Sequence, residues 1–190
     1  MSVTAVVTLV VLFFIAVYAV SVYNALVRVK HGVTKAWSNI DVLLKQRHDE
    51  LPKLVETCKQ YMAHERNTLE QVISARNAVG TARERGDVNA VGQAESGLRA
   101  GLGQLFALAE NYPQLKANES FQFLQQRISG LENGIADRRE LYNEAVNINN
   151  VRIEQFPDVI VARAFNFKPA DLLVFSDAEK ADVDVKALFN

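Results

Sequence analysis

The sequence is poor in the residues that build catalytic and metal chemistry. A single cysteine, Cys58, excludes an intramolecular disulfide framework and a multi-cysteine metal cluster, and three histidines leave little scope for a histidine-rich centre. The chain carries 21 Lys and Arg against 22 Asp and Glu, so it lacks the basic excess of a nucleic-acid-binding protein. Its 190 residues are 49% hydrophobic, which excludes a disordered chain and fits one domain with an appendage.

Charge is absent from the N-terminus, where no charged side chain precedes Arg28. Residues 3–22 are almost wholly apolar, and as a helix they would span about 30 Å, the thickness of a bilayer core. Tyr18 and Tyr23 stand towards the end of this run, as interfacial aromatic residues do. We therefore predict that residues 1–27 are a transmembrane anchor. The alternative is a cleaved signal peptide, which normally has a basic start and a shorter apolar run.

The charges that follow the anchor predict its orientation. Arg28, Lys30 and Lys35 come directly after it, and no acidic residue occurs until Asp41. Because positively charged flanks stay in the cytoplasm, we expect the N-terminus outside and the helical domain in the cytoplasm.

The rest of the chain shows helical spacing of its apolar residues, at steps of three and four. The pattern predicts helices over about 23–48, 50–84, 87–112 and 119–156. Pro52 would lie in the first turn of the second helix, with Asp49 as its cap. The remaining boundary signals are Gly80, Gly86-Asp87, Pro113, Asn118 as an N-cap, and Pro157.

These elements predict an all-α protein. The transmembrane helix would continue into a long antiparallel up-down four-helix bundle formed by residues 28–156, because the connections are short. Residues 157–169 would form a short juxtamembrane helix or cap, and residues 170–190 an acidic tail. We expect the tail to be solvated, with docking as a strand or helix on a partner as the alternative.

The fourth helix of such a bundle returns to the membrane, which brings residues 157–169 to the bilayer. Phe165 and Phe167 would then rest among the lipid headgroups, or alternatively cap the bottom of the bundle core. The residues predicted to be membrane-proximal are Tyr23, Arg28, Lys30, Arg163, Phe165, Phe167 and Lys168.

The sequence carries none of the common catalytic or phosphate-binding motifs. The sequence has no HExxH, no phosphate-binding loop, no GxSxG and no GxGxxG. Cys58 lies on an apolar stripe, which favours a buried thiol over a nucleophile. We predict no catalytic residue, no cofactor and no metal.

Six of the nine glycines fall in residues 80–103, from the end of the predicted second helix into the third. Gly97 and Gly101 share one face, which indicates either a marginal helix or close contact with another helix.

A set of polar and aromatic residues stands out on the predicted first and fourth helices. We expect them to set the register of the bundle, and a functional groove is the alternative. They are Trp37, Asn39, Asp41, Asn133, Arg138, Arg139, Tyr142 and Asn143.

Antiparallel packing of the two helices gives this set a testable geometry. If the numbers of facing residues add to 179, Trp37 stacks against Tyr142. Asp41 then pairs with Arg138 or Arg139, a contact that would fix register more than stability.

The same residues carry a resemblance to a known family. The matching pieces are Tyr23-Asn24, Ala36-Trp37-Ser38-Asn39-Ile40-Asp41-Val42-Leu43-Leu44-Lys45, Leu51-Pro52-Lys53-Leu54-Val55-Glu56-Thr57, Tyr61, His64-Glu65, Tyr112-Pro113-Gln114-Leu115-Lys116-Ala117-Asn118, Glu132-Asn133-Gly134-Ile135-Ala136, Arg138-Arg139, Tyr142-Asn143, Phe156-Pro157, Ala162-Arg163-Ala164-Phe165 and Phe167-Lys168-Pro169. In their order and spacing they resemble the bacterial LemA family. The resemblance implies a membrane-anchored antiparallel helical bundle without catalytic residues, associated with envelope upkeep or membrane proteolysis.

The expected function is that of a non-enzymatic, membrane-anchored scaffold or adaptor. It would assemble with itself as a homo-oligomer, or bind another membrane protein such as a membrane protease. The alternative is a lipid-sensing or membrane-shaping protein that uses residues 157–169 at the bilayer surface. The expected contacts are therefore membrane lipid and protein, with no nucleic acid and no small-molecule substrate.

Overall fold

A computed structural model describes residues 2–175 of the chain. Over these residues it contains six helices and no strand, so the predicted all-α class is confirmed there. The arrangement of the long helices as a single four-helix bundle stays a prediction. The helices are α1 (Val3–Lys59), α2 (Arg66–Arg85), α3 (Val88–Ala109), α4 (Pro113–Lys116), α5 (Glu119–Glu154) and α6 (Asp158–Ala164).

Helix α1 contains the apolar segment and runs far beyond it. Its most apolar 18-residue window has a mean hydropathy of 2.8, and none of that window is buried within the protein. Among the described residues, α1 alone is long and apolar enough to cross a membrane. The predicted anchor therefore coincides with the first part of a continuous 57-residue helix.

The predicted helix boundary near residue 49 is wrong. Helix α1 continues through Pro52, and Asp49 lies within the helix rather than at its cap. A proline inside a helix cannot donate to the carbonyl four residues earlier, which here belongs to His48. That carbonyl oxygen instead accepts a hydrogen bond from Arg76 Nε of α2 at 2.8 Å. A side chain from another helix thus replaces the missing backbone donor.

The other boundaries follow the sequence signals more closely. Gly86 ends α2 in the left-handed region at φ 68°, where a glycine carries no steric penalty, whereas Gly80 lies inside the helix. Asp87 caps α3 by accepting from the Ala90 N–H at 2.9 Å. Asn118 caps α5 by accepting from the Phe121 N–H at 3.0 Å, as predicted.

The chain divides into two compact units. Of the described residues, unit 1 comprises 2–40 and 137–172, and unit 2 comprises 41–136 with 173–175. Unit 2 holds the larger apolar core, which is drawn from α1, α2, α3, α4 and α5. Its buried members are Leu51, Leu54, Val55, Cys58, Met62, Leu69, Val72, Val79, Leu98, Leu102, Leu105, Ala109, Leu115, Phe121, Leu124 and Ile128.

Unit 1 has a small core near the end of the apolar segment. Val22 and Leu26 of α1 pack with Ile153 of α5 and Ala162 of α6. The Trp37 and Tyr142 rings of this unit are also in contact. Residue numbers therefore fall along α5 as they rise along α1, so the two helices are antiparallel within unit 1.

Candidate functional site

Three aromatic rings meet where α1 leaves its apolar segment. The Tyr23 ring centroid lies 4.8 Å from that of Phe165 and 5.8 Å from that of Phe167. Phe167 is half-buried against the small core of unit 1, whereas Phe165 is 62% exposed. Phe167 therefore packs on the core, as one alternative predicts, whereas Phe165 is exposed and its contact with lipid stays a prediction.

Basic side chains surround this aromatic cluster. Lys30 and Lys168 line one recess of about 390 Å³ together with Thr34 and Asn149. Lys30 also lines an adjoining recess of about 280 Å³ that contains the three aromatic rings and His31. Arg28 and Arg163, the remaining residues predicted to be membrane-proximal, are exposed. We call Tyr23, Lys30, Phe165, Phe167 and Lys168 the collar.

The segment after α6 is bound to α5 through backbone groups. The Asn150 side chain donates to the Ala170 carbonyl oxygen and accepts from the Ala170 N–H, both at 2.9 Å. The Tyr142 hydroxyl donates to the Asp171 carbonyl oxygen at 2.9 Å. Burial, and then the negative charge of Asp171, raise the pKa of Tyr142, so its hydroxyl remains a donor. These bonds position Lys168 beside Lys30.

The predicted contact between Trp37 and Tyr142 is present in unit 1. Their ring centroids are 5.5 Å apart and the planes are tilted by 59°, a tilted pair rather than a parallel stack. Tyr142 is buried and Trp37 is half-buried. The contact therefore fixes the axial position of α1 relative to α5 within unit 1.

The other residues of the predicted register set are placed differently. Asn39, Asn133 and Arg138 are exposed, whereas Arg139 and Asn143 are half-buried. Asp41 does not follow the predicted pairing with Arg138 or Arg139: its carboxylate binds Arg83 Nε of α2 at 2.9 Å. The prediction failed because it considered only α5 as a neighbour of α1, although α2 also packs beside α1 in unit 2.

A buried charge cluster in unit 2 was missed entirely. Arg47 of α1 is 1% exposed and Glu95 of α3 is 2% exposed, and their side chains form an ion pair. Arg47 Nη1 also lies 3.7 Å from Glu132 Oε1 of α5. The cluster thus ties three helices together. Burial raises the pKa of Glu132, and the positive charges of Arg47 and Arg99 oppose that shift.

Several nitrogen and oxygen atoms of this cluster make no hydrogen bond with the described protein atoms. Among the described protein atoms, Arg47 Nε and Nη1, Glu95 Oε2 and Glu132 Oε1 have no hydrogen-bond partner. A sequence signal for the cluster did exist. Arg47 falls on the stripe that contains Leu44 and Leu51, and Glu95 falls on the stripe that contains Val91 and Leu98. A charge at a core position implies a buried partner.

The other reactive group is inert in this environment. Cys58 is buried, and desolvation raises its pKa to about 12, so its thiol stays protonated at neutral pH. No group of three or more metal-ligating side chains occurs among residues 2–175.

The start of the predicted acidic tail is not solvated throughout. Leu173 is 1% exposed and Phe175 is 4% exposed, and both belong to unit 2. The expectation of a solvated tail is therefore wrong for Leu173 and Phe175, which pack within the chain itself, and docking on a partner stays a prediction. The rest of the predicted tail lies outside the described residues.

Comparison with known proteins agrees with the family resemblance of the sequence. The model of the LemA family matches residues 36–187. Two proteins of Paramagnetospirillum magneticum, Magnetosome protein MamQ 2 and Magnetosome protein MamQ 1, are each 24% identical over 190 residues, covering 88% of this chain and 70% of the relative. Magnetosome protein MamQ of Magnetospirillum gryphiswaldense is 24% identical over 169 residues, covering 77% of this chain and 62% of the relative.

Proposed function

Because the chain belongs to the LemA family, we propose that it is a non-enzymatic scaffold or adaptor of the bacterial inner membrane. The first part of α1 anchors it, and the helical domain lies on the cytoplasmic side. Copies of the chain assemble with one another and present a surface to a second membrane protein, such as a protease. This role agrees with the relatives, which carry the names of magnetosome proteins rather than of enzymes.

The observation that carries self-assembly is an exposed apolar face on α5 within unit 1. Leu141, Ile148 and Val151 are all about half exposed or more. Helical geometry places them within an arc of about 80°, opposite the buried side chains of Tyr142 and Ile153, along about 15 Å of axis. The exposed Glu144 lies within the same arc, so the face is a mixed patch, and we take its three apolar side chains as the protein-binding part.

The occupant that best fits this face is a second copy of the chain. Each copy has one anchor, so all copies in a membrane have the same orientation and present the α5 face at the same height. The same patch can then meet itself about a two-fold axis, which is the commonest oligomer symmetry.

Light scattering of the full-length protein in nanodiscs tests this proposal. We expect a discrete multimer for the native chain, and a monomer for a variant carrying Leu141→Glu and Ile148→Glu. The matched control is Asn147→Glu, which adds a charge at an exposed polar position of the same helix and should leave the mass unchanged. A monomeric native protein, or a double variant that keeps the multimer, would contradict self-assembly through this face.

A second function is favoured by the collar. Lipid sensing at the bilayer surface is supported by the exposed Phe165, which shares a recess with Lys30, and by Lys168, which lines the adjoining recess. Phe156 and Ile160 of the same unit are also exposed apolar side chains. Apolar side chains flanked by cations suit an anionic membrane surface.

Fluorescence quenching separates this function from the first. A tryptophan introduced as Phe165→Trp, with Trp37→Phe to remove the native signal, should be quenched by lipids labelled near the headgroup. The control is Phe123→Trp with Trp37→Phe, since Phe123 is also exposed but belongs to unit 2. Equal quenching at both positions, or none at 165, would exclude lipid contact by the collar.

A further inference from the structure

The chain carries an extended segment seated on α3, within unit 2. Leu173 and Phe175 are buried, whereas Val174 between them is 39% exposed. This alternation is that of an extended strand with one face turned inward. The segment therefore presents two apolar side chains and one backbone face to its seat.

Gly92 of α3 makes this seat possible. A Cβ built on Gly92 would overlap the Val174 carbonyl oxygen and would come within 3.1 Å of the carbonyl carbon. The overlap is with backbone, which cannot move aside as a flexible side chain can. Gly92 is thus a position where the absence of a side chain admits a second chain segment. Gly97, on the same helix, has no neighbour within 4 Å of an added Cβ.

Arg99 completes the seat two turns further along α3. Its guanidinium carbon lies 5.1 Å from the centroid of the Phe175 ring, within the range of a cation–π contact. Gly92 and Arg99 are seven residues apart, so they lie on the same face of α3. This face, which we call the α3 groove, therefore has a place for backbone and a place for an aromatic ring.

We propose that the α3 groove is a peptide-binding site for extended segments of the pattern apolar–any–aromatic, and that residues 173–175 of the same chain are its resident ligand. The resident segment closes the groove against competing peptides of the same pattern. This binding site is independent of whether copies of the chain assemble through α5. The ligand pattern follows from the two buried side chains, its extended form from the alternation of burial, and its close approach to the helix from the contact at Gly92.

Thiol labelling tests whether Gly92 holds the segment. Leu173→Cys places a thiol in the groove, and the only native cysteine is buried, so it gives little background. We expect slow maleimide labelling of Leu173→Cys alone and of Leu173→Cys with Gly97→Ala. Labelling should be at least about tenfold faster with Gly92→Ala, because the segment is displaced. Equal rates in the three variants would overturn the proposal.

A second labelling variant guards against misfolding of Gly92→Ala. Phe175→Ala removes the ring from Arg99 without altering any helix, and combined with Leu173→Cys it should also accelerate labelling. An unchanged rate in this variant would contradict the role of Phe175 as an anchor.

A peptide-binding measurement tests recognition itself. The probe is a fluorescein-labelled peptide with the sequence of residues 171–175, and the receptor is the full chain with Leu173→Ser and Phe175→Ser. We expect saturable binding to this receptor, equal binding when Gly97→Ala is added, and loss of at least about tenfold in affinity when Gly92→Ala is added. Absence of saturable binding, or equal affinity with Gly92→Ala, would refute a peptide-binding site.

Discussion

The two units differ in how completely they remove ion pairs from water. Unit 1 joins α1 to α5 with a small apolar core and an aromatic pair, and hydrogen bonds from Asn150 and Tyr142 hold the segment after α6 against α5. Unit 2 has a large apolar core, and a charge cluster of Arg47, Glu95 and Glu132 lies buried beside it. Unit 1 buries Asp158, but its partner Arg152 stays 38% exposed, whereas unit 2 removes both Arg47 and Glu95 from water.

This difference indicates which unit tolerates substitution. Neutral contacts fail gradually, since each contributes about 1 kcal/mol and leaves no charge behind. A buried ion pair behaves otherwise, because removal of one partner leaves the other charged and desolvated. We therefore expect the single most damaging polar substitution in unit 2, and milder effects in unit 1.

The largest effect is expected for Arg47→Ala. The substitution leaves Glu95 buried without its cation, which should cost about 3–5 kcal/mol. For a chain of this length that corresponds to a fall of about 10 °C in the thermal midpoint, measured by circular dichroism in detergent. The double variant Arg47→Met with Glu95→Leu should recover most of the loss, because it removes both charges. A loss below 1 kcal/mol for Arg47→Ala would show that the cluster is not desolvated.

An intermediate effect is expected for Trp37→Ala in unit 1. The side chain is half-buried and contacts the Tyr142 ring, so its loss should cost about 2 kcal/mol, less than for a fully buried tryptophan. Asn39→Ala on the exposed face of the same helix is the control and should change stability by less than about 0.5 kcal/mol. Equal losses for the two variants would remove Trp37 from the set that fixes register.

Two kinds of structural feature could be predicted from the sequence: helix ends that depend on nearby residues, and the level at which two antiparallel helices meet. Helix ends that depend on local chemistry, such as the Asn118 cap and the glycine at 86, were predicted because the deciding groups are within four residues. The contact of Trp37 with Tyr142 was predicted because antiparallel packing fixes the level of every pair once one pair is known. Local capping and register are therefore readable from the sequence.

Contacts that depend on a third helix were not predictable in this way. The continuation of α1 through Pro52 depends on Arg76, which lies 24 residues away. The partner of Asp41 is Arg83, on a helix that the register argument omitted. The Arg47 cluster needs α3 as well as α5. In each case the deciding atom belongs to a neighbour that the pattern along one helix does not specify.

Smaller changes in stability are expected for substitutions of Pro52 and Arg76, and the two effects should be coupled. Pro52→Ala restores an N–H that can donate to the His48 carbonyl, so it should stabilise the protein by about 1 kcal/mol. Arg76→Ala should destabilise the native chain by about 1 kcal/mol, and by less in the Pro52→Ala background, because the carbonyl then has another donor. Additive effects in this double-mutant cycle would show that Arg76 does not compensate for the proline.

The smallest expected effect is the pH dependence contributed by Glu132. Burial raises its pKa in the folded state above the ordinary value of 4.5, so the folded protein binds more protons than the unfolded chain between these two pKa values. Its contribution to stability therefore increases as the pH falls through the raised pKa, and levels off below 4.5. The charged groups that act on it are Arg47, Arg99 and Glu95.

His48, which is also in unit 2, makes a contribution to stability that changes with pH in the opposite direction. Burial, followed by the positive charge of Arg76, lowers its pKa below the ordinary 6.5, so its contribution to stability is lost as the pH falls from about that value. The free energy of unfolding should therefore be measured for the native chain and for Glu132→Gln across pH 4–8. Both proteins contain His48, so its effect cancels in the difference. We expect the native chain to gain stability relative to the variant as the pH falls. A constant difference would show that Glu132 ionises as freely as an exposed carboxylate, and that unit 2 buries one ion pair rather than a three-helix charge cluster.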